Sequence, residues 1–476
     1  MHGWIPITVQ ALSAVLLVLA IGWRTRRWRL LWLPLSAAVG VGVAAWAHWY
    51  IDSDGLAGDP APHQLWVWTA LTGLAIAVFF VGWPGARWWR RAASLLSVPL
   101  CLLSAGLALN LWVGYFPTVD TAWNQLTAGP LPDQTDPGTV AAVAQQAQQR
   151  RVLPPKGSVV PVTIPSTASG FKHRGELVYL PPAWFASTPP PPLPTVMMIG
   201  GEFNTPADWM RAGNAISTID KYAAAHGGNA PVFVFVDSGG AFNNDTECVN
   251  GPRGNAADHL TKDVVPFMES TYHVSPARAN WGVVGWSMGG TCAVDLTAMH
   301  PDLFSSFVDI AGDLTPNSGT KTQTIDRLYG GSSAQWAAFD PATVITRHGP
   351  YTGITGWFDI SGGQSTQRKN VPAANVGAVG LGGRDGTGNP GDQTVAADSL
   401  CALGSANGIN CGVIAQPGKH DWPFAARAFA SSLPWLAGAL HTPGDPVVPL
   451  GTVSVIPVPV TLPAPVAGAS AEAAGR

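Results

Sequence analysis

The chain has 476 residues, a formal net charge of -3 and 12% charged residues, about half the charged share of an ordinary soluble protein. The length calls for more than one domain. The near-neutral balance offers no broad basic surface for phosphate backbones, and no helix-turn-helix, zinc-finger or aromatic RNA-binding signature is present, so nucleic acid is not an expected partner.

The first predicted elements are four apolar stretches at 5–23, 30–50, 64–83 and 94–115, each close to the roughly 20 helical residues that cross a hydrocarbon core. Arg24, Arg26, Arg27 and Arg29 lie between the first pair, and Arg87, Arg90 and Arg91 between the last pair. The middle connection carries Asp52, Asp54 and Asp59. By the positive-inside rule the arginine loops face the cytoplasm, so the N-terminus, the middle loop and everything after Phe116 are expected outside a plasma membrane crossed several times. Trp23, Trp28, Trp46, Trp49, Tyr50, Trp83, Trp88 and Tyr115 fall near the expected span ends, where amphipathic rings anchor at headgroup level. Residues 1–10 contain no Lys or Arg, unlike a cleaved signal peptide, so the first stretch is read as a retained anchor. No Asp, Glu, Lys or Arg lies inside the expected spans, which gives a proton or ion pathway nothing to run on.

Residues 1–115 are therefore expected to form a four-span membrane unit, followed by a Pro, Gly, Gln and Ala-rich linker at 116–160 with one helix near 139–151. From 161 to 442 short apolar runs alternate with helical segments, the pattern of a mostly parallel sheet with helices on both faces. Strands are expected at 195–199, 231–236, 280–285, 305–310, 353–359 and 410–415, after an antiparallel lead-in at 175–180. From 443 to 476 the chain is Pro, Val, Ala and Gly with almost no charge, which predicts a disordered tail or spacer.

The sharpest motif is Gly285-Trp-Ser-Met-Gly289, set between an apolar strand and a helix at 291–299. A nucleophilic serine needs a strained strand-to-helix turn, and flanking glycines remove side chains that would clash there. Ser287 is thus the expected nucleophile; the bland alternative is a tight turn with a solvated serine. The Met288 N–H, at the start of the helix, is the first expected oxyanion donor. The second is the Glu202 N–H, after Gly200 and Gly201, which permit close backbone approach.

In such a fold the triad runs Ser, acid, His in chain order, which directs the search for a base to the loop after the last strand. His420, within Gln416-Pro-Gly-Lys-His-Asp-Trp422, occupies it; His441 comes only after the terminal helix. Three aspartates qualify as the acid. Asp385 follows a plausible strand at 376–381 and a glycine-rich turn and is preferred. Asp359 could instead be a buried hydrogen bonder at a strand end, and Asp392 a helix N-cap.

Four of the five cysteines fall in the outer domain, where disulfides are permitted. Cys401 and Cys411 bracket one helix-to-strand connection, and Cys248 could reach Cys292 just after the elbow, so these two pairings are expected, with Cys101 left as a free thiol. No Cys/His spacing resembles a zinc site, and no metal is expected.

Across about 166–440 the chain resembles the esterase family that includes the actinobacterial antigen 85 mycolyltransferases. The resemblance rests on Ser169-Gly-Phe171, Val178-Tyr-Leu-Pro181, Gly200-Gly201, Asp245-Thr-Glu-Cys248, the 285–289 elbow and His420-Asp-Trp422. It implies an α/β-hydrolase fold and carboxylic-ester chemistry without a cofactor. It also implies a lipid or acyl-ester substrate, and acyl transfer onto a cell-envelope sugar such as trehalose. The four-span anchor departs from the secreted mycolyltransferases. A competing reading from a different class is a catalytically inactive hydrolase-fold scaffold for binding or envelope assembly, since fold alone does not guarantee chemistry.

Overall fold

The computed structural model describes residues 3–55, 61–116, 118–119, 122–123, 131, 134–361, 366–368 and 393–450. It opens with α1 (Trp4–Ile21), α2 (Leu33–Asp54, continuing a π turn at Trp28–Trp32), α3 (His63–Gly82) and α4 (Trp88–Val113). Each is long and apolar enough to cross a membrane, with mean hydropathy between 1.8 and 2.2. The fourth begins earlier than expected, so Arg90 and Arg91 ride on its first turn rather than in the preceding loop.

Apolar helices gain little from burial in lipid, so close approach and polar contacts must join them. A β-carbon at Gly40 of α2 would stand 2.4 Å from Ala70 O, so glycine is what lets α2 and α3 touch along their backbones. Ser13 Oγ of α1 lies 2.9 Å from Ser104 Oγ and 3.0 Å from Leu100 O of α4. Arg24 donates to Ala20 O and Ile21 O at the end of α1 and to Gly82 O at the end of α3. A cation suits that place, because carbonyl dipoles leave partial negative charge at helix C-termini.

After α5 (Pro137–Arg150), capped by the Asp136 carboxylate on Thr139 N–H, comes a nine-stranded sheet. Its strands are β1 (Ser158–Val162), β2 (Glu176–Leu180), β3 (Thr195–Ile199), β4 (Val232–Val236), β5 (Trp281–Trp286), β6 (Ser306–Ile310), β7 (Thr355–Ser361), β8 (Thr366–Arg368) and β9 (Asn410–Gln416). The spatial order is β1-β2-β4-β3-β5-β6-β7-β9-β8. The interior neighbours from β4 through β9 run parallel, while β1, β2 and β8 pair antiparallel. This is the mostly parallel sheet expected from the alternating pattern, in the α/β-hydrolase arrangement that the family resemblance implies. β1 was not expected, and it falls where a linker is predicted. Its Pro161 denies it a central position, but an edge strand tolerates a missing donor.

Period-2 alternation divides the core into two layers. Val232, Val234 and Val236 of β4 face one side, with α7 (Val265–Tyr272), α8 (Met288–Met299), α9 (Lys321–Tyr329) and α10 (Thr394–Ala406). Phe233 and Phe235 face the other, with α6 (Ala215–Ala225) and α11 (Trp422–Ala439). Both expected disulfides are present: Cys248–Cys292 ties the loop after β4 to α8, and Cys401–Cys411 joins α10 to β9. Residues 443–450, at the start of the predicted tail, pack back on the domain. Asp445 accepts from Tyr222 Oη at 2.8 Å, and Leu450 is buried.

The helical unit meets the α/β domain at the C-terminal ends of α2 and α4. Tyr115 Oη donates to Asp208 Oδ1, and Gly114 packs against Asp421.

Candidate active site

β5 runs straight into Ser287, which takes φ +57° and ψ -121° and hands the chain to α8. A serine in this region stores about 1–3 kcal/mol, and its neighbours dictate the residues around it. A β-carbon at Gly285 would lie 1.6 Å from Gly289 O, and one at Gly289 would lie 2.4 Å from Ile199 O. Only glycine lets strand, elbow and the end of β3 converge. Ser287 N–H donates to Ile310 O at 2.9 Å, fixing the elbow to β6. The hydroxyl is half-buried at the rim of the sheet.

His420 leaves β9 on the loop before α11, whose N-terminus is capped by Asp421 accepting from Phe424 N–H. Its Nε2 lies 2.9 Å from Ser287 Oγ, across a sequence separation of 133. The imidazole rests on the Trp286 ring at 4.3 Å between centroids, a contact that restricts the plane of the base. Trp286 in turn meets Trp422 and Phe424. On the other side of the ring, Gln393 Nε2 lies 3.4 Å from His420 Nδ1.

The two expected oxyanion donors sit at the start of α8 and on the turn after β3. Met288 opens α8 and so carries one of the N–H groups that a helix leaves unbonded at its start. The turn after β3 presses on Ser287, since a β-carbon at Gly201 would stand 3.2 Å from Ser287 Cβ. Asn204 Oδ1 accepts from Gly201 N–H, and Arg174, paired with buried Asp237 at 2.6 Å, donates to Asn204 O at 2.6 Å. Arg174 therefore braces the turn that bears Glu202.

Of the three acid candidates, Asp359 is described; one oxygen of its carboxylate is engaged elsewhere, and the other, Oδ1, is buried with no hydrogen-bond partner among the described residues. Oδ2 accepts from Gln416 Nε2 at 2.7 Å and from Trp357 Nε1 at 3.2 Å. Full burial pushes its pKa up to about 7. Asp385, Asp392 and the strand expected at 376–381 lie outside the described residues.

A small pocket of about 20 Å³ in front of the serine is lined by Glu202, Asp245, Glu247, Met288, Asp313 and Asn317, and also by Gly55 from the turn that ends α2. Nothing in the local sequence could have announced Gly55 there, because the contact depends on how two units dock. Trp286 and Arg174 were also missed; each acts through tertiary contact rather than through a motif.

Among the described residues, His173, Glu176 and His259 form one group able to converge on a metal, a cluster that sequence spacing did not suggest. Each imidazole already faces oxygens from both nitrogens. His173 meets Ile164 O at 2.7 Å and Arg174 O at 2.9 Å, and His259 meets Glu176 at 3.1 Å and Asp263 at 3.3 Å. Burial alone would lower the His259 pKa, but the Glu176 and Asp263 carboxylates outweigh it and raise it. The group reads as a buried ion network joining β2 to the helix that begins at His259.

Residues 172–423, more than half of the chain, match the family described as "Putative esterase". The chain belongs to this esterase family. An uncharacterized protein of Corynebacterium glutamicum is 26% identical over 363 residues, which cover 74% of this chain and 82% of the relative. Among solved structures, the chain is similar to an S-formylglutathione hydrolase from Agrobacterium tumefaciens, with 16% identity, TM-score 0.44, and coverage of 60% of this chain and 95% of the other. It is also similar to MPT51 of Mycobacterium tuberculosis, with 18% identity, TM-score 0.37, and coverage of 59% and 97%. The esterase-family match contains the elbow, the Gly200–Gly201 turn and His420, all within its bounds.

Proposed function

We propose that this esterase-family protein is a serine hydrolase or acyltransferase of the cell envelope, held at the plasma membrane by α1 to α4. The observation that carries the reading is the 2.9 Å approach of His420 Nε2 to the hydroxyl of a serine in a positive-φ elbow. His420 takes the Ser287 proton as Oγ attacks the ester carbonyl, and the charge that develops on the carbonyl oxygen is met by the Met288 and Glu202 N–H groups. Collapse breaks the ester C–O bond and returns the proton to the departing alkoxide. Water or a sugar hydroxyl then collects the acyl group by the same steps in reverse order. Asp385 supplies the acid that orients His420, since Asp359 bonds to Gln416 and Trp357 instead.

The catalytic domain stands outside the membrane, and it takes in α5 and the start of β1 ahead of residue 161 as well as the packed residues 443–450. Supporting this orientation, α2 and α4 end at the α/β domain, whereas the arginine-bearing connections lie at the opposite helix ends. The experiment is p-nitrophenyl ester hydrolysis by the full chain in detergent, wild type beside Ser287→Ala, Asp385→Asn and Asp392→Asn. Loss of about 10³-fold or more in kcat is expected for Ser287→Ala and Asp385→Asn. If Asp392→Asn alone is lost instead, the acid assignment moves there; if Ser287→Ala retains wild-type turnover, the reading fails.

A further inference from the structure

The end of α2 is held in front of Ser287 by the α/β domain. Arg253 Nη2 donates to Asp54 O at 2.6 Å, Arg327 Nη2 donates to Asp52 O at 2.9 Å, and Ser318 Oγ donates to Gly55 O at 3.2 Å. The last carbonyls of a helix have no intrahelical partner and carry partial negative charge, so two guanidiniums are chemically suited to grip them. Both arginines are themselves anchored in the α/β domain. Arg253 Nη1 donates to Asp245 O at 2.6 Å, and Arg327 Nη1 donates to Ser318 O at 2.7 Å. Gly55 sits at φ +66° with no room for a side chain, since a β-carbon would stand 2.3 Å from Ser318 Oγ and 2.5 Å from Arg327 Nη1. With Gly55 in this position the serine pocket has about 20 Å³ free. A single water needs roughly 10–15 Å³ by the same kind of measure.

We propose that the Asp52–Gly55 turn is a wall of the acyl pocket, that it restricts Ser287 to short acyl esters, and that Arg253 and Arg327 are positioning residues that hold it. The proposal rests on the esterase reading above and deepens it by naming the substrate's acyl class. A membrane helix thereby becomes a specificity element: the acyl chain that reaches the serine is set by how tightly α2 is docked. Glu202, Asp245, Glu247, Asp313 and Asn317 make most of the rest of the lining polar, so the wall acts by excluding chain length sterically, and its removal is readable in kinetics.

The test compares kcat/KM for p-nitrophenyl acetate and octanoate in the full chain, wild type beside Arg253→Gln/Arg327→Gln and beside Ser318→Ala. Labelling by a small fluorophosphonate reports that each variant retains a folded serine site. Wild type is expected to prefer acetate. The octanoate-to-acetate ratio is expected to rise about tenfold or more in the double variant, and by a smaller factor in the same direction in Ser318→Ala, which keeps both arginines and guards against a folding defect in the double variant. A ratio within about twofold of wild type in variants that still label, or a wild type that already prefers octanoate, overturns the wall. Wild type that neither labels nor turns over any ester refutes the esterase reading and the wall together, so the two failures are distinguishable.

Discussion

Adding one methyl group at Gly289 should disable the site while leaving the triad residues untouched. The β-carbon of Gly289→Ala would stand 2.4 Å from Ile199 O and 2.6 Å from Gly200 O, both backbone atoms. Relief requires α8 or the turn after β3 to move by several tenths of an ångström at least, and these are the two elements that present the Met288 and Glu202 N–H groups. Overpacking of this kind costs about 1–3 kcal/mol of stability. Losing one oxyanion donor costs about 10²–10³ in kcat. The natural control is Gly200→Ala, whose β-carbon meets the Asn204 side chain at 2.9 Å. The assay is stopped-flow p-nitrophenyl acetate hydrolysis with a thermal melt of each variant. Gly289→Ala should lose at least about a hundredfold in kcat with a modest drop in melting temperature, and more than Gly200→Ala loses. A folded Gly289→Ala protein with wild-type kcat would refute the argument that the turn and the helix start form the oxyanion site.

Asp359→Asn should retain most activity, because the amide oxygen can still accept from Trp357 and Gln416. Loss by three orders of magnitude in the same hydrolysis assay would return Asp359 to the triad. The Asp359 carboxyl is raised to about 7 by burial, so the folded state binds its proton more tightly than the unfolded state does. Its ionisation therefore erodes stability as pH rises from about 4 to about 7, and thermal melts of Asp359→Asn should lack that component. His259 has the same sign by a different route: its raised pKa contributes stability below the unfolded value of about 6.5, and that contribution is lost as pH rises through the folded value. Melts of His259→Asn between pH 6 and 9 should show a gap from wild type that narrows with rising pH. The Cys248–Cys292 bridge closes a loop with sequence separation 44, worth roughly 4 kcal/mol by chain entropy. The double alanine variant should melt a few degrees below the variant lacking Cys401–Cys411, whose separation of 10 corresponds to roughly 3 kcal/mol.

The nucleophile elbow was legible because its constraints are local. A strained turn between a strand and a helix demands glycine on both sides, and Gly285 and Gly289 meet backbone for that reason. His420 followed from chain order together with its place on the loop after the last expected strand, since His441 satisfies the order as well. Both disulfides were legible because the cysteines bracket elements already assigned. What escaped depends on contacts between segments far apart in the chain. β1 straddles the end of a segment whose Pro, Gly, Gln and Ala composition reads as a tether, and its Pro161 is tolerated because the strand lies at an edge. Arg174 lies in no motif, and Trp286 is the elbow motif's unspecified second position; their importance appears only when Asn204 and His420 are beside them. Gly55 in front of Ser287 depends on the docking of α2 onto the α/β domain, which no periodicity encodes. The acid was ambiguous because any of three aspartates satisfies the order rule, and Asp359 was separable only by its hydrogen bonds.

The most direct measurement is fluorophosphonate labelling of the full chain in membranes, followed by mass spectrometry of the modified peptide, with Ser287→Ala and His420→Ala beside wild type. The account predicts a single adduct on Ser287, absent in Ser287→Ala and strongly slowed in His420→Ala. Unlabelled wild-type protein with a folded outer domain would contradict it and favour the scaffold reading, and an adduct on another serine would overturn the site.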